Sequence, residues 1–212
     1  MTGLRLILVR HGQTDANVSM AMDTGLPGGP LTEAGRQQAD ELAEVLAGEP
    51  VVAVCASPML RAQQTAQPVA ARHGLEVQVV NGLEEIYAGD LDSKSDPDSL
   101  RVFAEVYRGW LVAGGDLSRP LPGGENGQQV LDRCTAALSK IISAHTRGTI
   151  VVVSHGAALR LVAPALADNL ETLADEISLL QNTARIVLEE EPASPGGWHC
   201  VEWAGVRLGA AT

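Results

Sequence analysis

The feature that most constrains the fold of this chain is a series of short apolar runs, each about the length of one β-strand. They lie at residues 4–9, 51–55, 77–80, 150–153 and 184–188, with a weaker run at 199–203. The first, second and fourth runs are close to continuous, whereas a strand with one solvated face alternates apolar and polar residues. Continuous runs are typical of strands that are covered on both faces, as in a parallel sheet between two layers of helices.

Segments with helical signals separate these runs and lie at residues 31–48, 57–74, 99–112, 124–145 and 156–167. Thr32 is a suitable N-cap for the first segment, and Ser57 followed by Pro58 predicts the start of the second. We expect Pro68 to kink or split the second helix and Pro164 to interrupt the last one. The alternation of strands and helices predicts a three-layer α/β/α fold with a mostly parallel central sheet flanked by helices.

Composition narrows the class of protein. The chain has no long linker and no internal repeat, so we expect residues 1–212 to form a single domain. The formal net charge of −11 argues against a nucleic-acid or anionic-membrane surface, because both favour basic patches. No run has membrane-spanning length and no secretory leader is apparent, so we expect a cytoplasmic protein. The three cysteines lack metal-site spacing and are expected to be free thiols.

Polar residues follow three of the predicted strands at the points where those strands end. An Arg-His-Gly triplet at 10–12 follows the first, Ser57 and Arg61 follow the second, and Ser-His-Gly at 154–156 follows the fourth. A single histidine at a strand end is more often structural than catalytic. Two imidazoles and two guanidiniums at one sheet edge, with helix N-termini behind them, instead predict a pocket for a phosphate dianion. Gly12 is expected to let the phosphate approach the backbone.

The ordered motifs RHGQTDAN, SPMLRAQQTA, LEEIYAG, PGGE and VVVSHGAALR resemble those of the histidine phosphatase superfamily, in its phosphoglycerate-mutase-like group (branch 1). The stretches GGPLTEAGRQQA and NTARIVLEE are similar to further landmarks of that family, so the resemblance covers most of the chain. It implies a phosphoglycerate-mutase-like fold and phosphoryl chemistry through a phosphohistidine. It also implies that the reaction needs no metal and no other cofactor, since arginine and histidine side chains take the metal's place.

The resemblance implies a role for each matching residue. His11 would be the nucleophile, Glu85 the proton donor, and His155 a further catalytic residue. The residues expected to hold the phosphate are Arg10, Asn17, Arg61, His155 and Gly156. The leaving alkoxide needs a proton, which accounts for a carboxyl group in the site.

Two assignments have rivals in the residues themselves. Glu84 is adjacent to Glu85, and sequence chemistry alone leaves the two nearly even; only the family spacing favours Glu85. Cys55 and Arg61 have the C-x5-R spacing of cysteine-dependent phosphatases. However, Pro58 removes one backbone donor from that loop and no glycine lies within it, so we interpret Cys55 as the buried end of a strand.

Three functions are compatible with these residues: a phosphatase, a phosphoglycerate mutase and a catalytically inactive phosphate-binding module. The segment at 90–125 is short and its basic residues are scattered among acidic ones, whereas dedicated mutases of this family carry an Arg-rich insert there. We therefore favour hydrolysis of a small phosphorylated metabolite, with phosphoglycerate mutase as the alternative. The expected partner is that substrate, with neither nucleic acid nor membrane, and a homodimer is compatible with the sequence.

Overall fold

The structure is a computed structural model that describes residues 3–112, 114–167, 169–170, 180–192 and 196–208. Its helices are α1 (Asp15–Ser19), α2 (Glu33–Leu46), α3 (Leu60–Arg72), α4 (Pro97–Leu111), α5 (Gly127–Ser143) and α6 (Gly156–Leu166). Its strands are β1 (Leu4–Arg10), β2 (Val51–Ala56), β3 (Val77–Val79), β4 (Gly148–Ser154), β5 (Arg185–Glu190), β6 (Trp198–Trp203) and β7 (Val206–Arg207). Within these ranges no helix is both long and apolar enough to cross a membrane.

The strands form one seven-stranded sheet in the order β3-β2-β4-β1-β5-β6-β7. The first four neighbours run parallel, while β5, β6 and β7 each pair antiparallel with the strand before them in that order. The predicted α/β fold with a mostly parallel sheet is therefore confirmed, with an antiparallel edge added beyond β1.

Two apolar cores cover the two faces of this sheet. Leu6 and Leu8 of β1 belong to the core beneath α4, α5 and α6, whereas Ile7 and Val9 belong to the core beneath α2 and α3. Alternate residues of a strand point to opposite faces, so a strand that is buried on both sides must be apolar throughout. This is the physical reason for the continuous runs in the sequence.

The register of the central strands brings their ends to one level. Arg10, the last residue of β1, lies opposite Ser154, the last residue of β4. On the other side of β4, Ala56 at the end of β2 lies opposite Val153. The chain segments that follow β1, β2 and β4 therefore leave the sheet side by side, and the three polar groups of the sequence converge there.

Two local expectations about helices are wrong, the start at Ser57 and the interruption at Pro164, and α3 is not split at Pro68. Helix α3 begins at Leu60 with Met59 as its cap, because Ser57 still follows the strand and donates its N–H to the Val153 carbonyl at 2.9 Å. Pro68 lies inside α3, and α6 likewise runs through its proline to Leu166. A proline removes one helical hydrogen bond, and the buried faces of both helices against the sheet outweigh that loss.

The loop that carries the Arg-His-Gly triplet packs directly against the first turn of α2. A Cβ on Gly12 would lie 2.6 Å from the Gly35 carbonyl oxygen, and a Cβ on Gly35 would lie 2.1 Å from the Gln13 oxygen. The Gly12 N–H donates to Thr65 Oγ1 at 2.9 Å. Gly12 is thus required by close packing between two backbones, and the expectation that it opens the backbone to phosphate is wrong.

We predict that Gly35→Ala destabilises the protein by about 1–3 kcal/mol, because the added methyl group must displace the loop that holds His11. Gly109→Ala is the matched control, since a Cβ there meets no atom within 4 Å. In that helical position alanine should be neutral or stabilising by roughly 0.5–1 kcal/mol. Urea denaturation followed by circular dichroism measures both, and equal effects of the two substitutions would contradict the packing argument.

Candidate active site

The convergent strand ends open into a cavity of about 570 Å³. Its lining includes Arg10, His11, Arg61, Glu85 and Gly156 together with residues of α4, whereas the fully buried His155 is not among the lining residues. The predicted site residues therefore lie together at the carboxyl edge of the parallel strands, where open α/β sheets place their ligand sites.

His11 is 3% exposed and is held in one tautomer. Its Nδ1 lies 2.7 Å from the Gly12 carbonyl oxygen, which can only accept, so the proton is on Nδ1. Its Nε2 keeps a lone pair and accepts a hydrogen bond from Arg61 Nε at 3.0 Å. Burial, together with the charges of Arg61 and Arg10, holds the pKa of His11 well below its usual value, although the bond to Gly12 opposes this. The imidazole is therefore neutral, and its Nε2 lone pair points to Arg61.

His155 lies beside it, with 5.2 Å between the two ring centroids. A hydrogen bond of 2.8 Å joins its Nε2 to Ser57 Oγ, and its Nδ1 has no hydrogen-bond partner among the described residues. Burial lowers the pKa of His155 strongly, and the charge of Arg61 lowers it further. The site thus holds two neutral imidazoles against each other.

The two arginines near the imidazoles are held by different partners. The guanidinium of Arg61 is anchored by Asp23, whose backbone oxygen accepts from Nη2 at 2.8 Å and whose carboxylate lies 3.3 Å from Nη1. Arg10 donates to the Leu180 carbonyl oxygen and packs against Gly156, where a Cβ would lie 3.1 Å from Arg10 Cδ. Gly156 begins α6, so the glycine lets the helix N-terminus approach the Arg10 side chain closely.

Asn17 lines the same cavity, and its side chain is fixed by neighbours. Its Oδ1 accepts from the Thr14 backbone N–H at 3.1 Å and from Asn182 Nδ2 at 3.0 Å. Asn182 Nδ2 also donates to the His11 carbonyl oxygen at 3.0 Å. The amide group of Asn17 is therefore oriented, with Oδ1 occupied and the Nδ2 donors available on its other side.

The structure separates the two adjacent glutamates. Glu85 lines the cavity, and its carboxylate accepts backbone N–H groups from Ala158 at 2.9 Å, Ala157 at 3.2 Å and Ile86 at 2.9 Å. The carboxylate of Glu84 instead accepts the Gly82 N–H at 2.7 Å and is not among the residues that line the cavity. Geometry therefore places Glu85 next to the candidate phosphate site.

The position of Cys55 argues against the alternative of a cysteine-dependent phosphatase. Cys55 is a buried residue of the β2 strand and contributes to the core beneath α4, α5 and α6. Burial raises the pKa of its thiol to about 11. A thiolate at this position is unfavourable near neutral pH, and the side chain does not line the cavity. All three cysteines are free and buried, as expected.

Several residues that shape the site were not identified from the sequence. Asp23 anchors Arg61, and Thr65 accepts the Gly12 N–H while donating to the Arg61 carbonyl at 2.7 Å. Thr65 follows Arg61 by one helical turn, which is a detectable signal. Asn182 precedes β5, and since β5 is antiparallel, its beginning instead of its end reaches this edge. Arg133 on α5 binds the segment that carries Glu85, and no motif pointed to it.

Known proteins share the sequence pattern and the fold of this chain. The sequence profile of the histidine phosphatase superfamily (branch 1) matches residues 6–205. The chain belongs to this superfamily. The mycobacterial glucosyl-3-phosphoglycerate phosphatase in complex with VO3 is a structural neighbour, with a TM-score of 0.80 and 26% identity over 95% of this chain and 99% of that one.

Two curated relatives carry different names. The protein named probable phosphoglycerate mutase GpmB of Enterobacter sp. is 34% identical over 95% of this chain and 93% of its own length. The PE-PGRS family protein PE_PGRS11 of Mycobacterium tuberculosis is 32% identical over 96% of this chain, which spans only 37% of that relative. Superfamily membership is thus shown, while the named activities of its members include both hydrolysis and phosphoglycerate mutation.

Because His11 and His155 are held neutral in the folded protein, we predict that stability falls as the pH drops below about 6.5, the ordinary imidazole pKa. In that range the unfolded chain binds a proton at each imidazole and the folded protein does not, so protons favour unfolding. Each imidazole adds a slope of at most about 1.4 kcal/mol per pH unit. Urea denaturation between about pH 7.5 and about pH 5.5 should show a shallower decline for His11→Asn than for the wild type. Identical slopes would contradict the lowered pKa.

Proposed function

We propose that this protein is a phosphomonoester hydrolase that acts on a small phosphorylated metabolite through a phosphohistidine at His11. The observation that carries the proposal is the neutral imidazole whose Nε2 lone pair faces a cluster of two guanidiniums and a second imidazole. A phosphate dianion entering this cluster takes the Arg61 N–H as a donor to its oxygens and leaves Nε2 free to attack. The buried His155 packs beside His11, and its Nδ1 has no hydrogen-bond partner among the described residues.

In the first half of the reaction, His11 Nε2 attacks phosphorus and the bond between phosphorus and the leaving oxygen breaks. Protonated Glu85 gives its proton to that oxygen, so the alcohol leaves neutral. In the second half, water attacks phosphorus and Glu85 takes a proton from it. The phosphorus–nitrogen bond breaks and its electron pair returns to Nε2. Arg10 and Arg61 stabilise the charge on the equatorial oxygens in both halves.

Hydrolysis is favoured over transfer by the size of the cavity. Its volume of about 570 Å³ lies within the range of about 300–1,000 Å³ that is typical of small-molecule pockets. A mutase must keep water away from its phosphohistidine, whereas this cavity leaves room for water beside a small product. Met22, together with Phe103 and Leu111 of α4, adds apolar surface to the same cavity, which suits an organic alcohol.

Phosphoglycerate mutase is the second candidate, and one observation favours it. Arg108 and Arg160 lie on the α4 and α6 walls of the same cavity, where they would offer positive charge to a glycerate carboxylate. The two candidates differ in what happens to 3-phosphoglycerate. Release of inorganic phosphate faster than formation of 2-phosphoglycerate supports hydrolysis, and the reverse order of rates supports the mutase.

We predict that His11→Ala lowers kcat/KM for p-nitrophenyl phosphate by at least about a thousandfold, because the substitution removes the nucleophile. The wild type should retain its activity in EDTA, and rapid quenching with labelled substrate should trap an acid-labile phosphoryl group on the wild type only. Cys55→Ser is the control and should remain active. Full activity of His11→Ala, or strict dependence on added metal, would refute the mechanism.

We predict that Glu85→Gln slows glycerol 2-phosphate far more than p-nitrophenyl phosphate, because only the alkoxide needs a proton as it leaves. A loss of about a hundredfold or more is expected for glycerol 2-phosphate, in line with general acid catalysis. Glu84→Gln is the matched control and should keep the wild-type ratio of the two rates. Equal losses for both substrates in Glu85→Gln would count against the proton-donor role.

A further inference from the structure

One arginine of α5, Arg133, binds the segment that carries Glu85, which comprises residues 82–87. Its Nη1 donates to the carbonyl oxygens of Gly82 at 3.0 Å and Glu84 at 2.8 Å, and its Nη2 donates to the carbonyl oxygen of Glu85 at 3.0 Å. The Arg133 side chain is half-buried between α5 and this segment. One guanidinium thus fixes three carbonyl groups within four consecutive residues.

The remaining donors of Arg133 bind a single carboxylate. Nε donates to Glu125 Oε1 at 2.7 Å, and Nη2 donates to Glu125 Oε2 at 2.9 Å, which is the two-pronged geometry that only arginine can form. All five N–H groups of the guanidinium therefore have acceptors. Glu125 is itself tied to the same segment, since its Oε2 accepts the Tyr87 N–H at 2.8 Å and its own N–H donates to the Tyr87 oxygen at 3.0 Å.

Glu85 is consequently held at both ends. Its carboxylate binds the N-terminal N–H groups of α6, and its carbonyl binds Arg133 on α5. The backbone at Gly82 is also closely packed against α5, because a Cβ there would lie 2.8 Å from the Arg133 carbonyl oxygen. Its φ of +99° lies in the region that favours glycine. Contacts from two separate helices thus determine where the carboxyl group lies in the cavity.

We propose that Arg133, oriented by Glu125, is a positioning residue for Glu85 and thereby for proton transfer to the leaving alcohol. The proposal rests on the proposed function for its catalytic consequence. Arg133 does not line the cavity, so it acts through Glu85 and not on the substrate. Lysine cannot replace it, because an ammonium group has three donors and no planar fork for the carboxylate of Glu125.

The test compares Arg133→Lys with the wild type on substrates with a good and a poor leaving group. A misplaced proton donor should lower kcat for glycerol 2-phosphate at least about tenfold more than kcat for p-nitrophenyl phosphate. Arg72→Lys is the matched control, since Arg72 pairs with Glu44 on the surface. A merely structural arginine would lower both rates by the same factor, and that result, or no loss at all, would overturn the proposal.

Glu125→Gln provides a second variant that leaves Arg133 in place. Its amide cannot accept both arginine bonds, so the same selective loss is expected. The double variant Arg133→Lys/Glu125→Gln should lose no more than the worse single variant, because the two residues act as one unit. Additive losses would show independent roles and contradict the proposal. If Arg133→Lys fails to fold, Glu125→Gln decides the outcome alone.

Hydrogen exchange separates this proposal from the proposed function. A peptide spanning residues 80–90 should exchange faster in Arg133→Lys than in the wild type, while a peptide from β4 should be unchanged. If the wild type hydrolyses neither substrate but the exchange difference is present, the proposed function fails and the binding of the segment by Arg133 stands. If exchange in residues 80–90 is unaltered, Arg133 does not hold the segment and the proposal is wrong.

Discussion

The site depends on the register of three neighbouring parallel strands. β4 lies between β2 and β1, and the pairing places the last residue of β1, Arg10, opposite the last residue of β4, Ser154. A slip by one residue would turn every side chain of a strand to the other face, which the two apolar cores do not permit. The same strand pairing places His11 and His155 side by side. The register that packs the two cores therefore also fixes the geometry of the site.

Burial then gives the site its chemistry. An acidic chain with a net charge of −11 brings Arg10, Arg61 and His11 to one cavity, with the buried His155 ring 5.2 Å from that of His11. Because both rings are buried and the guanidiniums are close, the pKa of each imidazole is lowered and both rings are neutral. The cationic charge is left to Arg10 and Arg61, which suits a phosphate dianion, while His11 keeps the lone pair that a nucleophile requires.

Sequence reasoning predicted which side chains lie together where polar residues directly follow a strand end. It did not predict positions that depend on contacts between distant segments. Ser57 was expected to cap a helix, yet it follows the strand and bonds to His155. Gly12 was expected to face phosphate, yet it packs against the backbone of α2. Asn182 was not identified, because its position at the site follows from the antiparallel direction of β5. In each case the partner lies far along the chain.

The sequence by itself determined the fold class, the family and the group of residues that meet at the carboxyl edge of the parallel strands. Continuous apolar runs require a doubly covered sheet, and polar residues that directly follow parallel strands must meet at its edge. Only the tertiary structure decided which of two adjacent glutamates lies in the cavity and what holds it there. Glu84 and Glu85 are the same type of residue and are adjacent in the chain. They differ in the tertiary contacts of their carboxylates, since that of Glu85 binds the N-terminus of α6 whereas that of Glu84 pairs with Arg133 of α5.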